Sequence, residues 1–331
     1  MIRVGLAGAG AMGRTHADAY STIPDVQVTA VMDGDRDRAT ALAATLSARS
    51  YTDLATMLAT EQLDVVDCCL PTPLHRATVE AAAERGCHVF CEKPLALSVA
   101  DGQAMIAATR RAGVQLLAAQ VVRFFPEYRR LSEALAAGYV GTPVHLTMLR
   151  QTLYPLGHDH WYRDQQRSGG IFLDLMIHDF DWALHHLGPA ERVYARLVQH
   201  HESRQFAQGM ATVRHRSGAI SHITGTWGHP GGFTTMVELA GNGGLLRHHS
   251  GDTQPLRLVA LPDLQGETAI PLPDSSVAEN PYRTELAHFV DVVARHVPPL
   301  VAPEQALAAL ALAIAARTAA ATSVQIVELP E

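Results

Sequence analysis

Three glycines near the start of the chain, Gly8, Gly10 and Gly13, have the spacing G-x-G-x-x-G between a short apolar run and a helical pattern. In this context the first glycine permits a tight turn, the second lets the backbone approach a pyrophosphate, and the third lets the helix pack on the strand. The N–H groups at the helix start, including those of Ala11 and Met12, can bind phosphate oxygens. The spacing therefore predicts a dinucleotide-binding loop.

The acidic residue Asp33 follows the second predicted strand, Val26–Met32. A carboxylate at this position accepts a hydrogen bond from an adenosine ribose 2′-OH and repels a 2′-phosphate, so it favours NAD over NADP. The alternative is that Asp33 only begins the turn Asp33-Gly34-Asp35, whose composition is typical of turns. Because Arg36 and Arg38 follow closely, NADP stays open as the cofactor.

A lysine follows another predicted strand, Cys87–Cys91, in the sequence Glu92-Lys93-Pro94. Ligands bind at the carboxyl ends of the strands in parallel sheets, so Lys93 is predicted to lie near the cofactor. The alternative is an ordinary surface turn. The sequence does not decide whether the peptide before Pro94 is cis.

A predicted helix over Gly170–Leu187 carries a polar stripe beside its apolar stripe. The polar stripe consists of Asp174, His178, Asp181 and His185. Asp174 and His178 are four residues apart, so their side chains would meet on a regular helix. A carboxylate beside a histidine fixes its tautomer and raises its basicity, which suits a general base. The alternative is a solvated polar face, but the flanking apolar residues favour a position in a cleft.

Short apolar strands alternate with helices through the first third of the chain. The predicted strands are Ile2–Ala7, Val26–Met32, Asp64–Leu70, Cys87–Cys91 and Val114–Ala118. The predicted helices are Met12–Tyr20, Arg36–Leu46, Thr52–Ala59, Leu74–Arg85 and Ser98–Ala112. This alternation predicts an α/β fold with a doubly wound parallel sheet covered on both faces.

After Gln120 the pattern changes to consecutive strands joined by short turns. The predicted strands are Val144–Leu153, Arg192–Gln199, Phe206–His215, Ala219–Trp227, Phe233–Ala240, Gly244–His249 and Val324–Leu329. The predicted helices, besides the one with the polar stripe, are Pro126–Ala137, Tyr282–Arg295 and Pro303–Thr322. This pattern predicts an α+β domain with a large, mainly antiparallel sheet. We expect domains over 1–121 and 122–331, with helix 303–322 as a candidate to pack back on the first.

The composition narrows the function classes. The 331 residues are 47% hydrophobic and 18% charged with a net charge of −7, and no Lys/Arg run suggests nucleic-acid binding. No apolar run approaches the length of a membrane span and no secretory signal is evident, so we expect a cytoplasmic protein without a membrane partner. The four cysteines lie in predicted strands and are interpreted as reduced core thiols, not zinc ligands.

Three motifs together resemble the Gfo/Idh/MocA oxidoreductases: the glycine loop, Glu92-Lys93-Pro94, and Gly169-Gly170-x-x-x-Asp174-x-x-x-His178. Thr72-Pro73-Leu74-His75 and the segment Asn280–Phe289 extend the resemblance over almost the whole chain. The resemblance implies an N-terminal Rossmann domain and a C-terminal domain whose open sheet builds homodimers or homotetramers. It also implies NAD, or NADP, and a cyclitol or sugar substrate, as in inositol dehydrogenases.

The resemblance further implies residue roles. Lys93 would bind the reacting hydroxyl, His178 would accept its proton, and Asp174 would orient one of them. The residues implied for the cofactor, besides the glycine loop and Asp33, are Thr72, His75, Glu92 and Lys93, and those implied for the substrate are Asp181, His160 and Tyr282. The loop Tyr154–Arg167 departs from the family pattern and leaves the substrate open.

Three alternatives stay open at this stage. One is a keto-sugar reductase that uses the same residues, with His178 as the acid. Another is a dinucleotide-binding sensor without catalysis. A third is a metal-dependent dehydrogenase, suggested by His158 and His160, although an exposed polar loop explains these residues without a metal.

Overall fold

The computed structural model describes residues 1–200, 206–251, 279–322 and 326–329, and only the backbone of residues 158–160. The chain divides into two compact units. The first unit contains the residues up to Phe124 and those described from 279 to Leu307. The second unit contains the described residues from Phe125 to 251 and from Ala308 onward.

The first unit is built on a sheet of six parallel strands in the order β3-β2-β1-β4-β5-β6. The strands are β1 (Ile2–Ala7), β2 (Val26–Met32), β3 (Arg49–Tyr51), β4 (Val65–Cys68), β5 (His88–Cys91) and β6 (Leu116–Ala118). The helices between them are α1 (Ala11–Tyr20), α2 (Arg36–Leu46), α3 (Leu54–Thr60), α4 (His75–Glu84) and α5 (Val99–Ala112). The predicted doubly wound parallel sheet is confirmed.

Strand β3 lies at the edge of this sheet and was not predicted. It has three residues, Arg49, Ser50 and Tyr51, and none of them is buried. The strand has no apolar alternation because it pairs on one side only, with β2. A pattern search based on hydrophobic periodicity therefore misses it.

The second unit is built on a seven-stranded sheet in the order β12-β11-β7-β10-β9-β8-β13. The strands are β7 (Pro143–Thr152), β8 (Ala190–His200), β9 (Phe206–His215), β10 (Ile220–Trp227), β11 (Thr234–Gly241), β12 (Leu245–His249) and β13 (Ile326–Glu328). All pairs are antiparallel except β7 with β10, so the predicted mainly antiparallel sheet is confirmed. Residues 324–325 of the last predicted strand lie outside the described part.

The helices of the second half divide between the units. They are α6 (Pro126–Ala136), α7 (Gln165–Ser168), α8 (Gly170–Asp174), α9 (Ile177–Leu187), α10 (Pro281–Arg295) and α11 (Pro303–Ala321). Helix α10, expected in the domain 122–331, belongs to the first unit, where Leu286 and Phe289 are fully buried in its hydrophobic core. Phe289 lies 5.5 Å from Phe90 of β5 between ring centroids. The division between the units falls inside α11, after Leu307.

The helix predicted over Gly170–Leu187 is broken into α8 and α9. The N–H of Met176 donates to the carbonyl of Ile171 at 3.0 Å, five residues back, and a new helix begins at Ile177. Met176 lies over Gly209 and Gly225, which pair directly across β9 and β10. A Cβ at either glycine would lie 2.6 or 2.5 Å from the Met176 side chain, so the break packs closely on the sheet.

Helix α11 is long and apolar enough to cross a membrane by length and composition, contrary to the expectation that no segment approaches this limit. An apolar 18-residue stretch of this helix is 39% buried inside the protein. Leu310 and Leu312 are completely buried, and core helices of globular proteins meet the same criteria. We therefore describe α11 as a packed helix.

Candidate functional site

The glycine loop joins β1 to α1, as predicted. Gly8 has a φ of +108°, and a Cβ there would lie 2.5 Å from the carbonyl oxygen of Cys69. A Cβ at Gly13 would lie 1.9 Å from the carbonyl oxygen of Gly8, so this helix start tolerates only glycine. A Cβ at Gly10 would meet no protein atom within 4 Å. Close packing therefore explains why Gly8 and Gly13 are glycines. Packing does not explain Gly10, whose missing side chain instead leaves room for a ligand to approach the backbone.

The start of α1 has the features of an anion-binding site. Gly10 is the N-cap residue and offers no side chain to the N–H groups of the first turn. These groups begin with Ala11 and Met12 and carry the positive end of the helix dipole. Together with the glycine loop, they fit a dinucleotide pyrophosphate.

Asp33 follows β2 and holds the glycine loop. One carboxylate oxygen accepts a hydrogen bond from the N–H of Ala9 at 2.8 Å, and the other accepts from the N–H of Asp35 at 2.9 Å and from Arg38 Nη2 at 2.8 Å. Burial alone would raise the pKa of Asp33, but these donors outweigh it and lower the pKa below its ordinary value. Asp33 is therefore a carboxylate at neutral pH, and it also begins the turn that the sequence suggested.

The segment after β4 carries Thr72 and His75, and both are buried. His75 Nε2 lies 2.8 Å from the carbonyl oxygen of Leu70, and Nδ1 lies 3.1 Å from that of Pro94. His75 thus connects the segment after β4 with the turn after β5. The structure places it as a support of the loops, away from solvent.

Lys93 follows β5 in a turn whose Lys93–Pro94 peptide is cis. The carboxylate of Glu92 accepts a hydrogen bond from the N–H of Lys93 at 3.1 Å. Burial alone would raise the pKa of Glu92, but a hydrogen bond from His16 and the charges of His16 and Lys93 lower it. The glycine loop, Asp33, His75 and Lys93 all follow strands of one parallel sheet, at its carboxyl edge.

A buried charged cluster lies beside this turn and was not predicted. His16 of α1 contacts Asp67 of β4 and Glu92, and its side chain is completely buried. Tyr282, predicted to bind substrate, lies in the first unit with its ring 6.4 Å from that of His16. The signal in the sequence was Asp67 itself, because a charged residue inside the apolar run Val65–Cys68 requires a buried partner.

Asp174, His178 and Asp181 lie in the second unit, on α8 and α9. Asp174 is half-buried, His178 is 9% exposed and Asp181 is 1% exposed, whereas His185 is exposed. The polar stripe is therefore not a solvated face along most of its length. The break between α8 and α9 separates Asp174 from His178, so the regular i, i+4 geometry does not hold. The side chain of His160 is outside the described part.

Helix α9 also carries an ion pair that was not predicted. Asp179 accepts from Arg150 of β7, with Nη2 to Oδ1 at 2.6 Å and Nε to Oδ2 at 3.0 Å, and both side chains are buried. Burial alone would lower the pKa of Arg150, but the Asp179 carboxylate raises it above its ordinary value. Arg150 Nη2 also donates to the hydroxyl of Tyr128 at 3.3 Å.

Two groups of side chains in the described part have the composition of metal ligands: Cys68, His75 and Cys91, and His16, Asp67 and Cys69. Both ring nitrogens of His75 already face backbone carbonyls, and His16 faces carboxylates through both of its own. Protein oxygens thus already lie against both ring nitrogens of each histidine, and we assign no metal ligand among these residues. The four cysteines are free thiols.

Comparison with known proteins matches both units. A sequence model of the oxidoreductase family with an NAD-binding Rossmann fold matches residues 2–120, and one of the GFO/IDH/MocA C-terminal domain matches residues 128–247. The chain is 31% identical over 325 residues to a myo-inositol 2-dehydrogenase of Thermotoga maritima, covering 96% of this chain and 95% of that protein. It is 28% identical over 337 residues to a 1,5-anhydro-D-fructose reductase of Ensifer adhaerens, covering 97% of each.

A solved structure of GenD2 from gentamicin A biosynthesis, in complex with NAD, has the same fold. It superposes on 100% of this chain and 97% of that chain with a TM-score of 0.86, at 25% sequence identity. The likeness extends over both units of the chain.

Proposed function

Because the chain belongs to the Gfo/Idh/MocA family of NAD-binding oxidoreductases, we propose that it oxidises a secondary alcohol of a cyclitol or sugar to a ketone with NAD. The observation that carries this proposal is the shared sheet edge of the first unit. The glycine loop and Asp33 fit a dinucleotide there, and Lys93 follows β5 of the same sheet. A protein that only binds a dinucleotide has no need of a lysine in this position.

NAD is the proposed cofactor because Asp33 is anionic and lies beside the glycine loop. Its charge would repel the 2′-phosphate of NADP. Arg38, the cation best placed to bind such a phosphate, already donates to Asp33. NADP remains the alternative cofactor, and dissociation constants for the two dinucleotides, measured by calorimetry, decide between them. Tighter binding of NADP would contradict the proposal.

The proposed mechanism separates the hydroxyl proton from the carbon-bound hydrogen. NAD, held by the glycine loop and Asp33, would supply the acceptor for that hydrogen as hydride. His178 accepts the hydroxyl proton as a general base. Lys93 donates a hydrogen bond to the same oxygen and stabilises the negative charge that develops on it. Asp174 orients His178 or Lys93, and Asp181 binds a further hydroxyl of the substrate.

The reverse reaction, reduction of a keto-sugar, is the second candidate. It uses the same residues with His178 as the proton donor, and one relative carries the name of a 1,5-anhydro-D-fructose reductase. Initial rates with NAD plus cyclitols and sugars, compared with NADH plus ketoses, distinguish the two directions. Cofactor binding without turnover on either panel would contradict both and support a non-catalytic sensor.

For its assembly we propose a homodimer or homotetramer formed through the outer face of the seven-stranded sheet. This face exposes large apolar side chains, among them Val198, Met210 and Ile220. Light scattering after size exclusion should give a dimer or tetramer, which Met210→Glu should weaken. We expect the enzyme to act in the cytoplasm on a small molecule, without nucleic acid, membrane or metal.

A further inference from the structure

His16, Asp67 and Glu92 form a chain of charged side chains inside the first unit. His16 Nδ1 lies 2.9 Å from Asp67 Oδ2, and Nε2 lies 3.3 Å from Glu92 Oε1. The side chains of His16 and Asp67 are fully buried and that of Glu92 is 8% exposed. Asp67 lies on β4 between Leu6 and Phe90 of the neighbouring strands, a position where a charge is costly without a partner.

The two carboxylates beside His16 favour a protonated ring. A carboxylate only accepts hydrogen bonds, so Nδ1 donates to Asp67, and Nε2 lies at ion-pair distance from Glu92 Oε1. Burial alone would lower the pKa of His16, but Asp67 and Cys69 together outweigh burial and raise the pKa well above its ordinary value. A protonated His16 places its charge between the two carboxylates, and Lys93 adds a second positive charge near Glu92.

Within the described part of the chain, the other groups named beside this cluster carry no positive charge. Cys69 Sγ lies 3.1 Å from His16 Nδ1, and the ring of Tyr282 lies 6.4 Å from that of His16. Tyr20 lies beside Asp67, and Glu285 lies near Tyr20. Burial raises the pKa of Cys69 and of Tyr20 well above their ordinary values, so both are neutral.

Glu92 connects the buried charged cluster to the turn that contains Lys93. Its Oε1 faces His16, and its Oε2 accepts the N–H of Lys93 at 3.1 Å. His16 itself is on α1, directly behind the glycine loop. One buried cation thus connects the helix that follows the dinucleotide loop with the backbone of Lys93.

We propose that His16 is a positioning residue that, held by Asp67, orients the Glu92 carboxylate and through it the Lys93 turn. The proposal rests on the proposed function, which gives Lys93 its task. His16 itself touches neither the substrate nor the reacting atoms. Its removal should therefore reduce turnover through a misplaced Lys93.

The test compares His16→Asn, Glu92→Gln and the double variant in steady-state kinetics on folded, NAD-saturated enzyme. A displacement of the catalytic group by about 1 Å costs about 100-fold in rate, and we expect a loss of this order in kcat for His16→Asn, with a smaller change in KM for NAD. Because the two residues act in series, the double variant should be no slower than the slower single variant. Losses that multiply, or an unchanged kcat in His16→Asn, would overturn the proposal.

A buried histidine of the second unit provides the matched control. His215 is completely buried, with Nδ1 2.8 Å from the carbonyl oxygen of Gly188 and Nε2 3.0 Å from Ser221 Oγ. His215→Asn should lower the Tm and leave kcat unchanged. A similar loss of kcat in His215→Asn would mean that any buried histidine has this effect, and would contradict a specific role for His16.

A measurement on the wild-type protein covers the case in which His16→Asn does not fold. In a ¹⁵N-histidine NMR spectrum at pH 8, one ring should retain the signals of an imidazolium with both nitrogens protonated, and Glu92→Gln should shift them. A spectrum with only neutral rings would overturn the proposal.

Lys93→Ala, assayed in the same experiment, separates the two claims. Loss of turnover in Lys93→Ala with full turnover in His16→Asn would overturn the role of His16 alone. Full turnover in Lys93→Ala would contradict the proposed function, and the role of His16 would fall with it.

Discussion

Each unit contains a group of buried charged side chains. The two groups differ in whether their hydrogen bonds reach a turn at the candidate site. In the second unit Arg150 and Asp179 form a two-point ion pair supplemented by the hydroxyl of Tyr128. The pair joins α9 to β7, and the bond to Tyr128 connects it to α6. In the first unit His16 is shared between two carboxylates, and the second of them, on Glu92, also binds the backbone of Lys93.

The comparison shows that burial of charge alone does not indicate function. Arg150–Asp179 has the better geometry of the two, because the flat guanidinium matches a carboxylate at two points. The His16 cluster has longer contacts but adjoins a turn at the carboxyl edge of a parallel sheet, where ligands bind. We therefore expect disruption of the Arg150–Asp179 pair to affect stability and disruption of the His16 cluster to affect turnover.

The largest effect should come from His178, the residue next to Asp179 on α9. His178→Ala removes the proposed general base and should lower kcat about 10²–10⁴-fold, with little change in Tm. Steady-state assays and thermal unfolding measure both quantities. His185→Ala, an exposed histidine on the same helix, is the control and should leave both unchanged. Full turnover in His178→Ala would remove the base from the mechanism.

Breaking the ion pair of the second unit should mainly change stability. Arg150→Met leaves the Asp179 carboxylate buried without its cation, which costs about 3–5 kcal/mol of unfolding free energy. Urea unfolding measures this loss, and kcat per folded molecule should stay near wild type. Replacing both partners, in Arg150→Met with Asp179→Leu, should recover much of the stability, because no charge then remains buried. Failure to recover it would show that the pair has a role beyond its own charges.

A smaller effect is expected at Asp33, whose carboxylate holds the glycine loop. Asp33→Asn keeps the size of the side chain and removes its charge. We expect the Kd for NAD to rise about 10-fold, or about 1.4 kcal/mol, and the Kd for NADP to change less. Calorimetric titration with both dinucleotides measures the ratio. An unchanged ratio would mean that Asp33 acts only as a turn residue.

The smallest effect is the pH dependence that Asp33 gives to stability. Its pKa is lower in the folded protein than in the unfolded chain, because Arg38 and two N–H groups favour the carboxylate over the opposing effect of burial. The stabilisation is therefore fully present above about pH 3.9 and is lost as pH falls through the lower folded pKa. Unfolding free energies of wild type and Asp33→Asn should differ by about 1 kcal/mol or less near pH 6, and the difference should shrink as pH falls through the folded pKa of Asp33. A difference that grows on acidification would contradict this sign.

The features predicted correctly from the sequence are those that local patterns determine. The glycine loop and the two types of sheet follow from glycine spacing and from hydrophobic periodicity. Lys93 could be placed after a strand because strand ends are visible as the end of an apolar run.

The features that were missed depend on residues far apart in the chain. Asp67 and Asp179 stand out as charges in apolar segments, but nothing in the local pattern names His16 or Arg150 as the partner. The break at Met176 likewise depends on Gly209 and Gly225, which lie on other strands. Helix α10 is amphipathic in the expected way, yet periodicity does not tell which of two cores receives its apolar face.

The most direct test follows the hydrogen atom that the proposed reaction transfers. The wild-type enzyme is mixed with NAD and with cyclitols and sugars deuterated at their carbinol carbons, and the deuterium content of the reduced dinucleotide is measured by mass spectrometry. We predict that deuterium passes from at least one cyclitol or sugar to the dinucleotide, and that Lys93→Ala, which still binds NAD, transfers it at least about 100-fold more slowly. Binding of NAD without transfer from any member of the panel, or transfer at full rate by Lys93→Ala, would contradict the account.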